Sequence, residues 1–130
     1  MNPVVHFEMP YENRERVVMF YQSAFGWKIE LLGEEMGNYV VATTAEHDAR
    51  PGAPAGAIGG GFFPKSASDP GAAVPSVVIA VDDLRACMAK VTDAGGKLVG
   101  EPMTIPGIGE YIAIVDTEGN RVGLLQATSA

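Results

Sequence analysis

Residues 3–9 alternate. Val5, Phe7 and Met9 fall on one face and Val4, His6 and Glu8 on the other, which predicts a half-buried strand ended by Pro10. After Asn13 the period changes. Val17, Phe20, Tyr21 and Ala24 recur at helical spacing and predict an amphipathic helix over 14–24. Asn13 is its expected N-cap, Glu15 suits the first turn, and Gly26 stands just past its end. Residues 27–32 and 36–43 read as strands around a tight turn at Gly33, Glu34 and Glu35. Residues 44–54 read as a loop, and 55–63 as a fourth strand weakened by Gly59, Gly60 and Gly61. Three glycines in a strand signal a bulge or a close approach by another group.

The pattern then repeats. Shifted by about 70 residues, the first half falls on the second: Asn13 on Asp83, Val17 on Cys87, Tyr21 on Val91, Ala24 on Ala94, Gly26 on Gly96 and Ile29 on Val99. The second half reads as a strand at 76–81, then a helix capped by Asp83 with apolar Leu84, Cys87, Met88, Val91 and Ala94, ended by Gly96. A strand at 97–101 follows, then a hairpin of 111–116 and 121–126 around Thr117, Glu118, Gly119 and Asn120. The tally is two βαβββ modules, about 1–63 and 75–130, joined by a polar connector at 64–74 and expected to form one domain. The fold class is α+β. A curved, mostly antiparallel eight-stranded sheet is expected, with helices on its convex side and a concave cavity.

Composition narrows the function. The 130 residues carry a net charge of −7, with no Lys/Arg cluster, so nucleic acid is excluded as a partner. The acidity is compatible with a cationic ligand as well as with plain solubility. No apolar run is long enough to span a membrane and no basic-then-apolar leader opens the chain, so a cytoplasmic protein is expected. The single cysteine, Cys87, lies on a predicted apolar helix stripe and reads as a small core hydrophobe.

Two stretches carry a family resemblance. VVHFEMPYENRERVVMFYQSAFGWKI resembles the opening of the vicinal oxygen chelate superfamily. VVIAVDDLRACMAKVTDAGGKLV, followed by VDTEGNRVGLLQ, resembles its closing module. Glyoxalase I, extradiol dioxygenases, fosfomycin-modifying enzymes and bleomycin-binding proteins are members, so the resemblance implies the fold and not the reaction. The IGGGFF and PGIGEYIAIVDTEGN segments look most like glyoxalase-like proteins. In the enzymes of that superfamily a divalent ion is held by side chains, commonly His or Glu, on the first and last strands of each module. Carried over by position, the first-strand residues are His6 and Ser76, and the last-strand residues are Gly60 and Gly123. Only His6 is a competent ligand. A substitute set of His6, Glu8 and Glu110 is conceivable but departs from the pattern. His47, in the 44–54 loop, reads as a surface residue. The GGG run is no phosphate loop, because no Lys-Ser/Thr follows it. Neither a nucleophile elbow nor a recognisable Cys–His pair is present.

The reading that results is a glyoxalase-like, metal-independent protein binding a small molecule, with no cofactor. His6, Glu8, Trp27, Tyr39, Ser76, Met103 and Tyr111 are the expected wall residues. Two alternatives stand beside it: a metal-dependent lyase or dioxygenase of the same superfamily, and a drug-sequestering protein of the bleomycin-binding kind. Acidic side chains on the ligand face would favour the latter. Exposed strand edges predict a homodimer, with module exchange left open.

Overall fold

A computed structural model describes residues 1–46, 51–52, 56–69 and 73–128. The chain divides into two compact units, His6–Pro75 on one side and Met1–Val5 with Ser76–Ala130 on the other. Each holds the plan predicted for a module: one helix and a mixed sheet, α+β in class.

In the His6–Pro75 unit the strands are β1 (Val4–Tyr11, entering from the other unit), β2 (Lys28–Leu31), β3 (Val40–Thr43) and β4 (Gly59–Pro64). Their order is β2-β3-β4-β1, antiparallel except for the parallel β1–β4 pair. Helix α1 (Arg14–Phe25) starts where Asn13 Oδ1 accepts the Arg16 amide at 2.9 Å and ends at Gly26, whose left-handed backbone closes it. Val40, Ala42 and Phe62 are buried beneath α1, together with Phe7, Met9, Tyr11, Val17, Val18, Tyr21, Trp27 and Ile29. Phe20 departs from the predicted stripe and is 56% exposed. It lies roughly 100° around the helix from the centre of the Val17–Val18–Tyr21 face, because successive residues step by about that angle.

The expected strand at 36–43 is shorter than the pattern suggests. Glu34–Met36 form a 3₁₀ turn, and Gly37 and Asn38 follow in left-handed backbone. The Leu32 amide bonds the Tyr39 carbonyl at 2.9 Å and closes the hairpin, so β3 begins only at Val40. β4 also starts later than expected, at Gly59; Ala55 lies outside the described residues.

In the other unit the strands are β5 (Ser76–Ala80), β6 (Lys97–Ile105), β7 (Gly109–Val115) and β8 (Arg121–Ala127), in the order β5-β8-β7-β6. Again one pair, β5–β8, is parallel. The Pro3 carbonyl accepts from the Ala80 amide at 2.9 Å and ties the first residues to β5. Helix α2 (Leu84–Asp93) is capped by Asp83, as Asn13 caps α1. Val81, Leu84, Ile112, Ile114 and Leu124 form the core, and Cys87 packs against it, a half-buried thiol among apolar side chains.

Two expectations shift here. The left-handed residue after α2 is Gly95 and not Gly96, so the repeat slips by one at this point. Gly96 answers a different need: a Cβ there would stand 2.8 Å from Val91 Cγ1 and 3.0 Å from the Val115 carbonyl. β6 is nine residues long where 97–101 was expected, with a register shift between Val99 and Met103. Pro102 is tolerated because β6 is the edge strand of this unit.

Candidate functional site

Alternation along β1 sorts its side chains between two environments. Phe7 and Met9 join the core under α1, which leaves His6 and Glu8 on the opposite, helix-free face of the same sheet. Tyr39, just before β3, reaches across that face. Its hydroxyl donates to Glu8 Oε2 at 2.9 Å and lies 2.9 Å from His6 Nε2. The sequence expectation that His6 and Glu8 share a face is thus met, and the third member of the group is Tyr39.

The hydroxyl has one proton. Since it goes to the acceptor-only carboxylate, the oxygen must accept from His6, and the proton on the imidazole is on Nε2. Burial lowers the His6 pKa from 6.5, and the neighbouring Glu8 carboxylate only partly opposes this. Imidazole in this setting is neutral at physiological pH.

The tyrosine lies where a side chain of β4 would otherwise project. A Cβ added to Gly61 would collide with the Tyr39 ring and hydroxyl. A Cβ on Gly60 would collide instead with the Phe7 ring, on the α1 face. Glu8 is the cross-strand partner of Gly61, just as Val78 is of Gly123. The module-one counterpart of Gly123 is therefore Gly61. The expectation of Gly60 is wrong by one residue, and in a strand one residue changes the face.

Module two repeats the device. A Cβ on Gly123 would stand 2.6 Å from Tyr111 Cε2 and 2.7 Å from its hydroxyl. Tyr111 pairs with Leu125 and leans diagonally to the glycine two residues back. Extending the Val40–Phe62 register by one gives Tyr39 the same relation to Gly61. The signal was legible in principle, because Tyr39 and Tyr111 are separated by nearly the repeat distance.

The remaining expected residues divide. Met103 is the cross-strand partner of Tyr111, beyond the β6 irregularity, and is 57% exposed. Ser76 shares a face of β5 with Val78, and so with Gly123 and Tyr111. Trp27 does not join the His6 group. It stacks on Tyr21 at 4.7 Å and 18° and touches Phe7, in the α1 core. Glu110 stands opposite Gln126, whose Oε1 accepts the Leu84 amide at the start of α2. That is the α2 face, opposite Tyr111. His47 lies outside the described residues.

The donor set does not suit a metal ion. Among the described residues no group of three or more His, Cys, Asp or Glu side chains is placed to hold one. The family resemblance, with the register corrected, would put metal ligands at His6, Gly61, Ser76 and Gly123, and at both glycines a tyrosine ring takes the volume a longer side chain would need.

Comparison with known proteins bears on the family. The family model for the Glyoxalase/Bleomycin resistance protein/Dioxygenase superfamily matches residues 4–124. The methylmalonyl-CoA epimerase of Mycobacterium tuberculosis superposes with a TM-score of 0.68 at 16% identity, over 97% of this chain and 88% of that one. The Streptomyces coelicolor methylmalonyl-CoA epimerase in complex with 2-nitronate-propionyl-CoA gives 0.72 at 16% identity, over 100% and 97%. At these identities the likeness concerns the fold. "Putative glyoxylase CFP32" of Mycobacterium bovis and of Mycobacterium tuberculosis is 42% identical over 43 residues. That match covers 33% of this chain and spans 16% of the length of those curated relatives.

Proposed function

We propose that this chain, which belongs to the Glyoxalase/Bleomycin resistance protein/Dioxygenase superfamily, is a small-molecule-binding protein that works without a metal ion. The observation that carries the reading is the tyrosine ring over the last-strand glycine in each module, Tyr39 over Gly61 and Tyr111 over Gly123. The lost ligands are not merely absent. Their space is filled, and the filling groups are hydrogen-bonding aromatics suited to contacting an organic ligand. One imidazole, His6, does not hold a first-row metal by itself.

His6, Glu8 and Tyr39 are the polar recognition groups of the His6–Pro75 unit in this reading. In the other unit Tyr111, Met103 and Ser76 offer a mostly apolar face with two hydroxyls. Elemental analysis of gently purified protein tests the proposal. The expected result is a metal content far below one equivalent and no thermal shift with Ni, Zn, Mn or Fe. About one equivalent of any of these, lost in His6→Ala, would overturn it.

A second reading, sequestration of a cationic drug-like compound, draws support from Glu8, an acidic side chain on the helix-free face and not on a helix. Slow or absent turnover with tight retention of a cationic aromatic compound would favour it over catalysis. The reading includes a cytoplasmic site of action, consistent with a lone free thiol at Cys87. It also includes a C2 homodimer. Support for that comes from α1, where Met19, Phe20 and Phe25 are exposed, while the positions of α2 that match Met19 and Phe20 are Ala89 and Lys90.

A further inference from the structure

His6 is held in one hydrogen-bonding pattern by its neighbours Tyr39 and Glu8. A carboxylate oxygen accepts, so Glu8 Oε2 receives the hydrogen bond that the Tyr39 hydroxyl donates. The Tyr39 oxygen then accepts from His6 Nε2–H across 2.9 Å. The second ring nitrogen, Nδ1, is left as a bare lone pair. No hydrogen bond to it is present among the described residues, and no buried side-chain nitrogen or oxygen there lacks a partner, so Nδ1 is open to solvent.

Resting on the small-molecule reading above, we propose that Tyr39 is a positioning residue that fixes His6 in the Nε2–H tautomer, and that the site therefore selects ligands that donate a hydrogen bond. The class is an amine, ammonium, amide N–H or hydroxyl group presented to Nδ1. A carboxylate or phosphate oxygen at the same place would set acceptor against acceptor, with the Glu8 charge adjacent. An unfulfilled acceptor in a partly desolvated site weakens binding, whereas a matched donor regains what water supplied. The neutral state of His6, enforced by burial, keeps the lone pair available.

The proposal turns Tyr39 from a wall residue into the source of specificity. Removing its hydroxyl leaves His6 and Glu8 in place but cuts the relay between them. Neutral imidazole is then free to adopt either tautomer.

The test uses the full chain labelled with ¹⁵N-histidine, with His47→Gln to assign the two imidazoles. Long-range ¹H–¹⁵N spectra above neutral pH report the His6 tautomer directly. Benzylamine and benzoate, alike in ring and opposite in head group, serve as probes by titration of the His6 signals. The expected result is the Nε2–H tautomer in the parent chain and a mixture in Tyr39→Phe. Benzylamine should bind about tenfold or more tighter than benzoate, with that preference reduced in Tyr39→Phe. An Nδ1–H tautomer in the parent chain overturns the inference whatever the probes do, and leaves the small-molecule reading untouched. Equal or tighter binding of benzoate while His6 is neutral overturns it as well. If neither probe moves the His6 signals at millimolar concentration, the open acceptor and the small-molecule reading of this face fall together. Preference unchanged in Tyr39→Phe shows that the Glu8 charge alone selects, and removes Tyr39 from the role.

Discussion

At residue scale, His6 ties stability to pH. Its folded-state pKa is depressed below 6.5, first by burial. As pH falls, the unfolded chain therefore takes up a proton before the folded one does. The stability present above the unfolded value is lost as pH falls through the lowered folded value. Urea unfolding between about pH 7.5 and about pH 5.5 should show a falling midpoint that flattens in His6→Gln. An unchanged slope in that variant would mean that other groups carry the acid sensitivity. The glycines make a second residue-scale prediction. Gly61→Ala and Gly123→Ala force a methyl into a tyrosine ring and should each destabilise by about 1–3 kcal/mol, as overpacking does. Pairing each with a truncated ring, Tyr39→Ala or Tyr111→Ala, should relieve the clash component. Denaturant unfolding of the four variants and the two pairs measures the coupling. The face assignment depends on these glycines. Alternation placed His6 and Glu8 together, but the GGG run has no side chains to alternate, so the choice between Gly60 and Gly61 required the Glu8–Gly61 register.

At element scale, the two helices begin in the same way. Asn13 Oδ1 accepts the Arg16 amide at 2.9 Å, and Asp83 Oδ1 accepts the Ala86 amide at 3.0 Å. Asn13→Ala and Asp83→Ala should each cost about 1 kcal/mol of unfolding free energy, read from denaturant midpoints, with Gly replacements costing less. These caps were legible because a cap is a local arrangement of one side chain and the next three residues. Element ends set by longer-range bonding were not. The β3 start at Val40 depends on the Leu32–Tyr39 hydrogen bond, and the length of β6 depends on pairing with β7 across an irregularity. Trp27 belongs to the same class. Aromatic character marked it as a ligand wall residue, but its stacking on Tyr21 depends on where α1 lands.

At the scale of the molecule, the repeat supplies its own control. Equivalent helix positions carry Met19 and Phe20 in α1 but Ala89 and Lys90 in α2, and the two α1 residues are 68% and 56% exposed. If a second copy covers α1, light scattering at micromolar concentration should give about twice the 13.6 kDa chain mass. Phe20→Lys, copying the α2 residue, should shift the population toward monomer without loss of helix content. A monomeric parent chain would contradict the dimer. Among the described residues, no helix is long and apolar enough to cross a membrane. The sequence alone determined the two-module plan, the α+β class and the helix caps. Each of these is written in residue type and period, and the period survives whatever the chain packs against. Tertiary structure alone decided that Tyr39 bridges His6 and Glu8, that Gly61 and Gly123 lie under tyrosine rings, and that Trp27 and Glu110 face the helices. Those outcomes depend on strand register and on which residues meet across strands, and a one-residue change of register, invisible in composition, exchanges the faces.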